Sequence, residues 1–312
     1  MNVRTPLVAA LAAALLLAAA PAAHAGTGLP GSVEIACADT ALTQDARWYL
    51  PAGAPRALVW VQHGFARASG NVADLAGALA DRGYLVFTPD LPFVNPSGCT
   101  LQNLGDNTGF LHQVAELFGT SEALAASLAA AAHRAGRSAP PLPADLVFLG
   151  HSAGAEAVAV VAEDLRVTSP ATWARLRAVI LLDPVKSFLG DNLGRAVAGI
   201  DTTALPLLEV AAPPSPCNSF GTGTDAVRSG LHRPFLGLRL PEGAHTDAEG
   251  ASSDALGELL CGVPAATAVA TVRTLALGWT DDAVDGSRTP ALYPDAAGTV
   301  AAAPGAEVLR GG

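Results

Sequence analysis

The chain has 312 residues, half of them hydrophobic and only 15% charged. That balance supplies enough apolar side chains for a sizeable core and excludes global disorder. The formal net charge is -10, Lys186 is the sole lysine and no basic run occurs, which argues against nucleic acid as a partner.

The N-terminus has the pattern of an export signal. Arg4 supplies a short positive region, residues 7–20 are apolar, and Ala23-His24-Ala25 offers a small-x-small cleavage site. The apolar stretch is too short for a spanning helix, which needs about 20 residues, and Pro21 follows it, so no stable membrane anchor is expected. Residues 1–25 are therefore assigned to a signal peptide, and the protein is expected to be secreted after cleavage near Ala25. Four cysteines follow: Cys37, Cys99, Cys217 and Cys261. An even count in an exported chain predicts two disulfides, and four cysteines allow three pairings. The expected one joins Cys37 to Cys99 and Cys217 to Cys261. With no C-x-x-C pair, zinc binding is not expected.

Beyond the signal, strand-like and helix-like segments alternate. Short strands are expected at 33–37 and 47–49. The dense apolar run 57–62 predicts a buried strand, broken by His63-Gly64-Phe65. Val72, Leu75 and Leu79 place one face of a helix over 71–81, which Gly83 closes. Residues 84–88 are the next strand, followed by a Pro/Gly/Asn-rich loop through Asn107. Helices are expected over 110–118 and 121–134, then a strand over 145–149. Residues 156–165 have a helical pattern, and further strands are expected at 176–182, 205–210 and 235–240. Helices follow at 254–260 and 265–277. The Ala/Gly/Pro-rich segment 295–312 is expected to be a loosely ordered tail. The alternation predicts an α/β domain over 26–294, with a mostly parallel sheet covered on both faces and no large cap domain. In such sheets chemistry collects at the carboxyl ends of the strands.

One motif sits at such an end. Gly150-His151-Ser152-Ala153-Gly154 has the form G-x-S-x-G, directly after an apolar strand and directly before a helix. A sharp strand-to-helix turn of this kind holds a serine in a strained backbone with its hydroxyl exposed, making Ser152 the candidate nucleophile. A serine hydroxyl needs a base. His245 lies just past the carboxyl end of the strand 235–240, whereas His232 precedes that strand, so His245 is favoured. The acid is expected to be Asp183, which ends the apolar run 178–182; Asp225 is the alternative, because the later strand end at 211–218 carries no acidic side chain. His151 is expected to pack or to support neighbouring groups, and His63 to shape its loop. The oxyanion donors are expected to be the backbone N–H groups of Phe65 and Ala153. The Phe65 ring is also a candidate substrate contact.

Several runs together resemble the α/β-hydrolase superfamily, and within it the chlorophyllase and polyester-hydrolase (cutinase-like) branch. They are Gln62-His63-Gly64-Phe65, Gly83-Tyr84-Leu85-Val86-Phe87-Thr88-Pro89-Asp90, the Ser152 motif, and Leu182-Asp183-Pro184-Val185. The resemblance spans residues 33–277. It implies a serine hydrolase of carboxylic esters using Ser152, His245 and Asp183, with no metal or organic cofactor. The substrate is expected to carry an apolar acyl or aromatic group. An acyltransferase using the same triad and a non-catalytic binding protein on the same fold are the alternatives.

Overall fold

The structure, a computed structural model, describes residues 28–312; the expected signal peptide lies outside the described residues. The chain begins with an antiparallel hairpin of β1 (Leu29–Cys37) and β2 (Thr40–Tyr49). Both strands outrun the expected short segments. The added stretches, 29–32 and 40–46, bury no large apolar side chain, so only the stretch with buried Val33, Ile35 and Cys37 alternating with exposed residues marks the strand locally. Cross-strand pairing supplies the remainder.

The parallel part follows. It runs through β3 (Leu58–Gln62), α1 (Ala73–Asp81), β4 (Leu85–Pro89), α2 (Thr108–Thr120), α3 (Glu122–Arg134), β5 (Leu146–His151), α4 (Ala153–Thr168) and the short α5 (Pro170–Trp173). It continues with β6 (Leu176–Leu182), α6 (Asn192–Asp201), β7 (Leu207–Ala211), α7 (Thr222–Gly230), β8 (Gly237–Arg239), α8 (Ala255–Cys261), α9 (Ala266–Asp285) and β9 (Glu307–Leu309). One nine-stranded sheet results, in the order β1-β2-β4-β3-β5-β6-β7-β8-β9. The six strands from β4 to β8 in that order are mutually parallel, while the β1–β2, β2–β4 and β8–β9 pairs are antiparallel.

Side-chain alternation along the strands builds two cores. In β3, Trp60 faces the side covered by α2, α3, α4, α6 and α7, while Val59 and Val61 face α1 and α9. Trp60, Phe118 and Phe148 stack with ring centroids 4.8–5.1 Å apart at the centre of the first core. Helices on both faces explain why the central strands are apolar throughout rather than alternating. Cys37 is bonded to Cys99, and Cys217 to Cys261.

Besides the one-turn α5, two helices, α6 and α7, were not expected from the sequence. α6 does carry Leu193, Ala196, Val197 and Ile200 on one buried face, but Gly194 and Gly199 interrupt the run. α7 buries only Val227 among its large side chains, too little to show a period. The tail also needs correcting. Far from loose, it folds back and adds β9 to the edge of β8, with Leu309 buried. An exposed strand edge leaves amides and carbonyls unpaired, and this pairing satisfies them. Composition cannot register a partner about 70 residues away.

Candidate active site

The site grows from the turn between β5 and α4. Ser152 sits there at φ 58° and ψ -126°, in the left-handed half of backbone space that a residue with a Cβ adopts at a cost of about 1–3 kcal/mol. Neighbouring bonds hold it in place: its N–H donates to the Leu182 carbonyl (3.0 Å), and its carbonyl accepts from Val185 (3.1 Å). The turn closes because its flanking residues lack side chains. A Cβ on Gly150 would fall 2.3 Å from the Gly154 carbonyl oxygen, and one on Gly154 would fall 2.4 Å from that of His63. Gly154→Ala is expected to cost about 3 kcal/mol, since backbone rather than a movable side chain must yield. A lowered urea midpoint with unchanged slope would register it; an unchanged midpoint would show the turn to be looser than this.

The end of the adjacent strand supplies the carboxylate. Asp183 follows β6 at φ 42° and is 5% exposed. Its Oδ1 accepts the Ala212 N–H (2.9 Å), and the Asn218 side-chain amide donates to both oxygens (3.2 Å each). Its Oδ2 takes the remaining partner, His245 Nδ1, at 2.5 Å. Thus the acid-free strand end after β7 still contributes to the site, through the Ala212 and Asn218 amides. Asn218 was not singled out in the sequence. Its only local signal is its place in a Pro-Cys-Asn turn, where Asn218 Oδ1 also accepts from Ser215 and Gly221.

His245 opens the turn after β8. With Nδ1 engaged, its Nε2 is the nitrogen left for chemistry. The tether to the turn at Ser152 runs through His151, whose Nε2 donates to the His245 carbonyl at 2.9 Å, with ring centroids 4.7 Å apart. Burial and the neighbouring His245 push the His151 pKa well below its ordinary value, so the ring is neutral and acts as a fixed donor. His63 is fully buried as well, its Nδ1 2.8 Å from the Gly64 carbonyl oxygen, and desolvation lowers its pKa.

The rival residues lie elsewhere. His232 is exposed and its Nδ1 pairs with Asp201 (2.9 Å). Asp225 lines a groove of about 940 Å3 between α6 and α7, together with Lys186 and Asp191. Neither Ser152 nor His245 lines that groove.

The loop after β3 closes the other side. Gly64 presses against Ser152 so tightly that a Cβ there would sit 2.7 Å from Ser152 Cβ. Among the described residues, neither the Phe65 nor the Ala153 N–H has a hydrogen-bond acceptor. Phe65 is 41% exposed and meets Phe93 edge-on, with centroids 5.4 Å apart.

Behind the site, Glu209 of β7 is wholly buried. Desolvation outweighs help from Thr224 and raises its pKa to about 8. An unfolded chain releases this proton near the ordinary 4.5, so between that pH and 8 the folded state holds the extra proton. Stability should fall as pH rises through this window and level off above it. Glu209→Gln removes that part of the slope, so denaturant midpoints of the variant and the parent should diverge between pH 5 and 8. Parallel curves would refute it.

No protein-family model and no curated protein matches the chain. Solved structures do. A ferulic acid esterase from Streptomyces cinnamoneus aligns over 94% of this chain and 98% of its own, at 19% identity and a TM-score of 0.53. A dienelactone hydrolase from Anabaena variabilis aligns over 80% of this chain and 97% of its own, at 15% identity and a TM-score of 0.47. Sequence identity at this level speaks to architecture only. With the sheet order and the strand-to-helix turn, it defines the α/β-hydrolase fold.

Proposed function

We propose that the protein is an exported hydrolase of carboxylic esters. The observation that carries the reading is the 2.5 Å contact of His245 Nδ1 with Asp183, on a histidine tied through His151 to the turn that bears Ser152. Ser152 Oγ attacks the ester carbonyl while His245 Nε2 takes its proton, and Asp183 stabilises the imidazolium. The Phe65 and Ala153 amides receive the oxyanion. Collapse breaks the C–O bond, and His245 returns the proton to the departing alcohol. Water, activated by the same imidazole, then attacks the acyl-enzyme; the acid leaves and the serine is regenerated.

The surroundings favour an apolar ester. Among the described residues, every exposed large apolar side chain except Val167 lies in a segment that follows the carboxyl end of a parallel strand. Phe65 and Phe93 follow β3 and β4, Phe188 follows β6, Phe220 follows β7, and Leu256, Leu259 and Leu260 lie on α8. An apolar collar of this kind suits an apolar acyl or aromatic group. The Leu182-Asp183-Pro184-Val185 run further favours the chlorophyllase and cutinase-like branch. Two disulfides accord with the export suggested by Arg4 and the apolar run after it.

A fluorophosphonate probe with peptide mapping, paired with a p-nitrophenyl ester chain-length series, tests the reading. Labelling at Ser152 and turnover of at least one chain length are expected. A chain that neither labels nor turns over any ester is a binding protein on this fold.

A further inference from the structure

Arg67 lies two residues beyond Phe65, and its side chain is only 11% exposed. Its guanidinium grips Glu249 with two bonds, Nε to Oε1 at 2.7 Å and Nη2 to Oε2 at 2.6 Å. A third bond reaches Asp254 at 3.0 Å. The fit is close: a Cβ on Gly257 of α8 would meet Nη2 at 2.8 Å. Glu249, four residues past His245, is buried, and its Oε1 stands 3.8 Å from His151 Nδ1, a ring nitrogen with no hydrogen-bond partner among the described residues. The other nitrogen of that ring holds the His245 carbonyl. The Arg67–Glu249 pair therefore links the loop after β3 to the histidine loop, and His151, packed beside Glu249, separately ties the histidine loop to the turn at Ser152.

Stability alone explains this pair poorly. Desolvating a buried ion pair costs several kcal/mol, and apolar replacements are often no less stable. A bidentate fork does impose direction, which a lysine or a hydrophobic contact does not.

We propose that Arg67 is a positioning residue which, by clamping Glu249, sets the oxyanion loop and the His245 loop in register around Ser152. The inference rests on the hydrolase reading above. Misplacing reacting groups by an ångström costs about 100-fold in rate. Arg67→Met is thus expected to lower kcat on a short p-nitrophenyl ester by about 10- to 100-fold, with KM within about 3-fold, and to slow fluorophosphonate labelling in step. Arg67→Lys, which keeps the charge but loses the fork, should fall between the two.

The double variant Arg67→Met/Glu249→Leu separates positioning from scaffolding. It should recover most of the thermal stability while kcat stays at least about 10-fold low. Arg56→Met is the control. Arg56 precedes β3 at the opposite end of the sheet and pairs with Asp281 (2.6 Å) and Asp285 (2.8 Å), so its loss should lower Tm and leave kcat unchanged. A kcat for Arg67→Met within about 2-fold of the parent, or a kcat that returns with stability in the double variant, overturns the proposal. A parent protein that is inert and unlabelled overturns the hydrolase reading itself, and this one with it.

Discussion

Ser152→Ala is expected to lower kcat on short p-nitrophenyl esters by on the order of a million-fold, leaving the fold intact. The magnitude follows from the loss of the covalent route: the oxyanion amides and the binding surface remain, but no atom is left to form the acyl-enzyme. Retention of the fold follows from the small change. Alanine keeps the Cβ that packs against Gly64, and the backbone bonds to Leu182 and Val185 do not involve the hydroxyl. Both residue types bear the same positive-φ strain, so the stability difference should stay below about 1 kcal/mol. Far-UV and near-UV circular dichroism with a urea midpoint check the fold, and a stopped assay at high enzyme concentration checks the rate. Turnover within tenfold of the parent would remove Ser152 from the mechanism.

Asp183→Asn should be the next most damaging change, lowering kcat by about 10,000-fold. The reason lies in what surrounds the carboxylate. Its two oxygens face donors only: the Ala212 N–H, the Asn218 amide and His245 Nδ1. An asparagine has one acceptor oxygen, and its NH2 must then point at one of these donors. If it points at His245, the imidazole is driven to the wrong tautomer, with its proton on Nε2 where the base is needed. If it points at Ala212 or Asn218, a buried donor loses its partner and the loop after β7 shifts. Asp225→Asn provides the contrast, since Asp225 lines the α6–α7 groove, and its kcat should stay within about 2-fold of the parent. The opposite ranking of the two variants in a kcat assay would move the acid to Asp225.

Much of this site is legible because its signals are local. Apolar runs at 57–62, 84–88 and 176–182 announce buried strands, and a glycine on each side of His151-Ser152-Ala153 announces a turn too tight for side chains. Asp183 and His245 follow strand ends, which a parallel sheet gathers along one edge. Asn218 and the Arg67–Glu249 clasp leave no such trace. A lone arginine and a lone glutamate 182 positions apart look like ordinary surface charges until the fold buries them together.

The sequence by itself determined the sheet's buried strands, the strained turn at Ser152 and which residue types stand at the strand ends, because these depend on short-range periodicity and steric fit. Tertiary structure alone decided that β9 returns to cap the edge of β8, that β1 and β2 form a long hairpin, and that Asp183 rather than Asp225 meets His245. Those outcomes rest on hydrogen bonds and charge pairs between distant segments, whose energies appear only once the chain has brought them out of water and into contact.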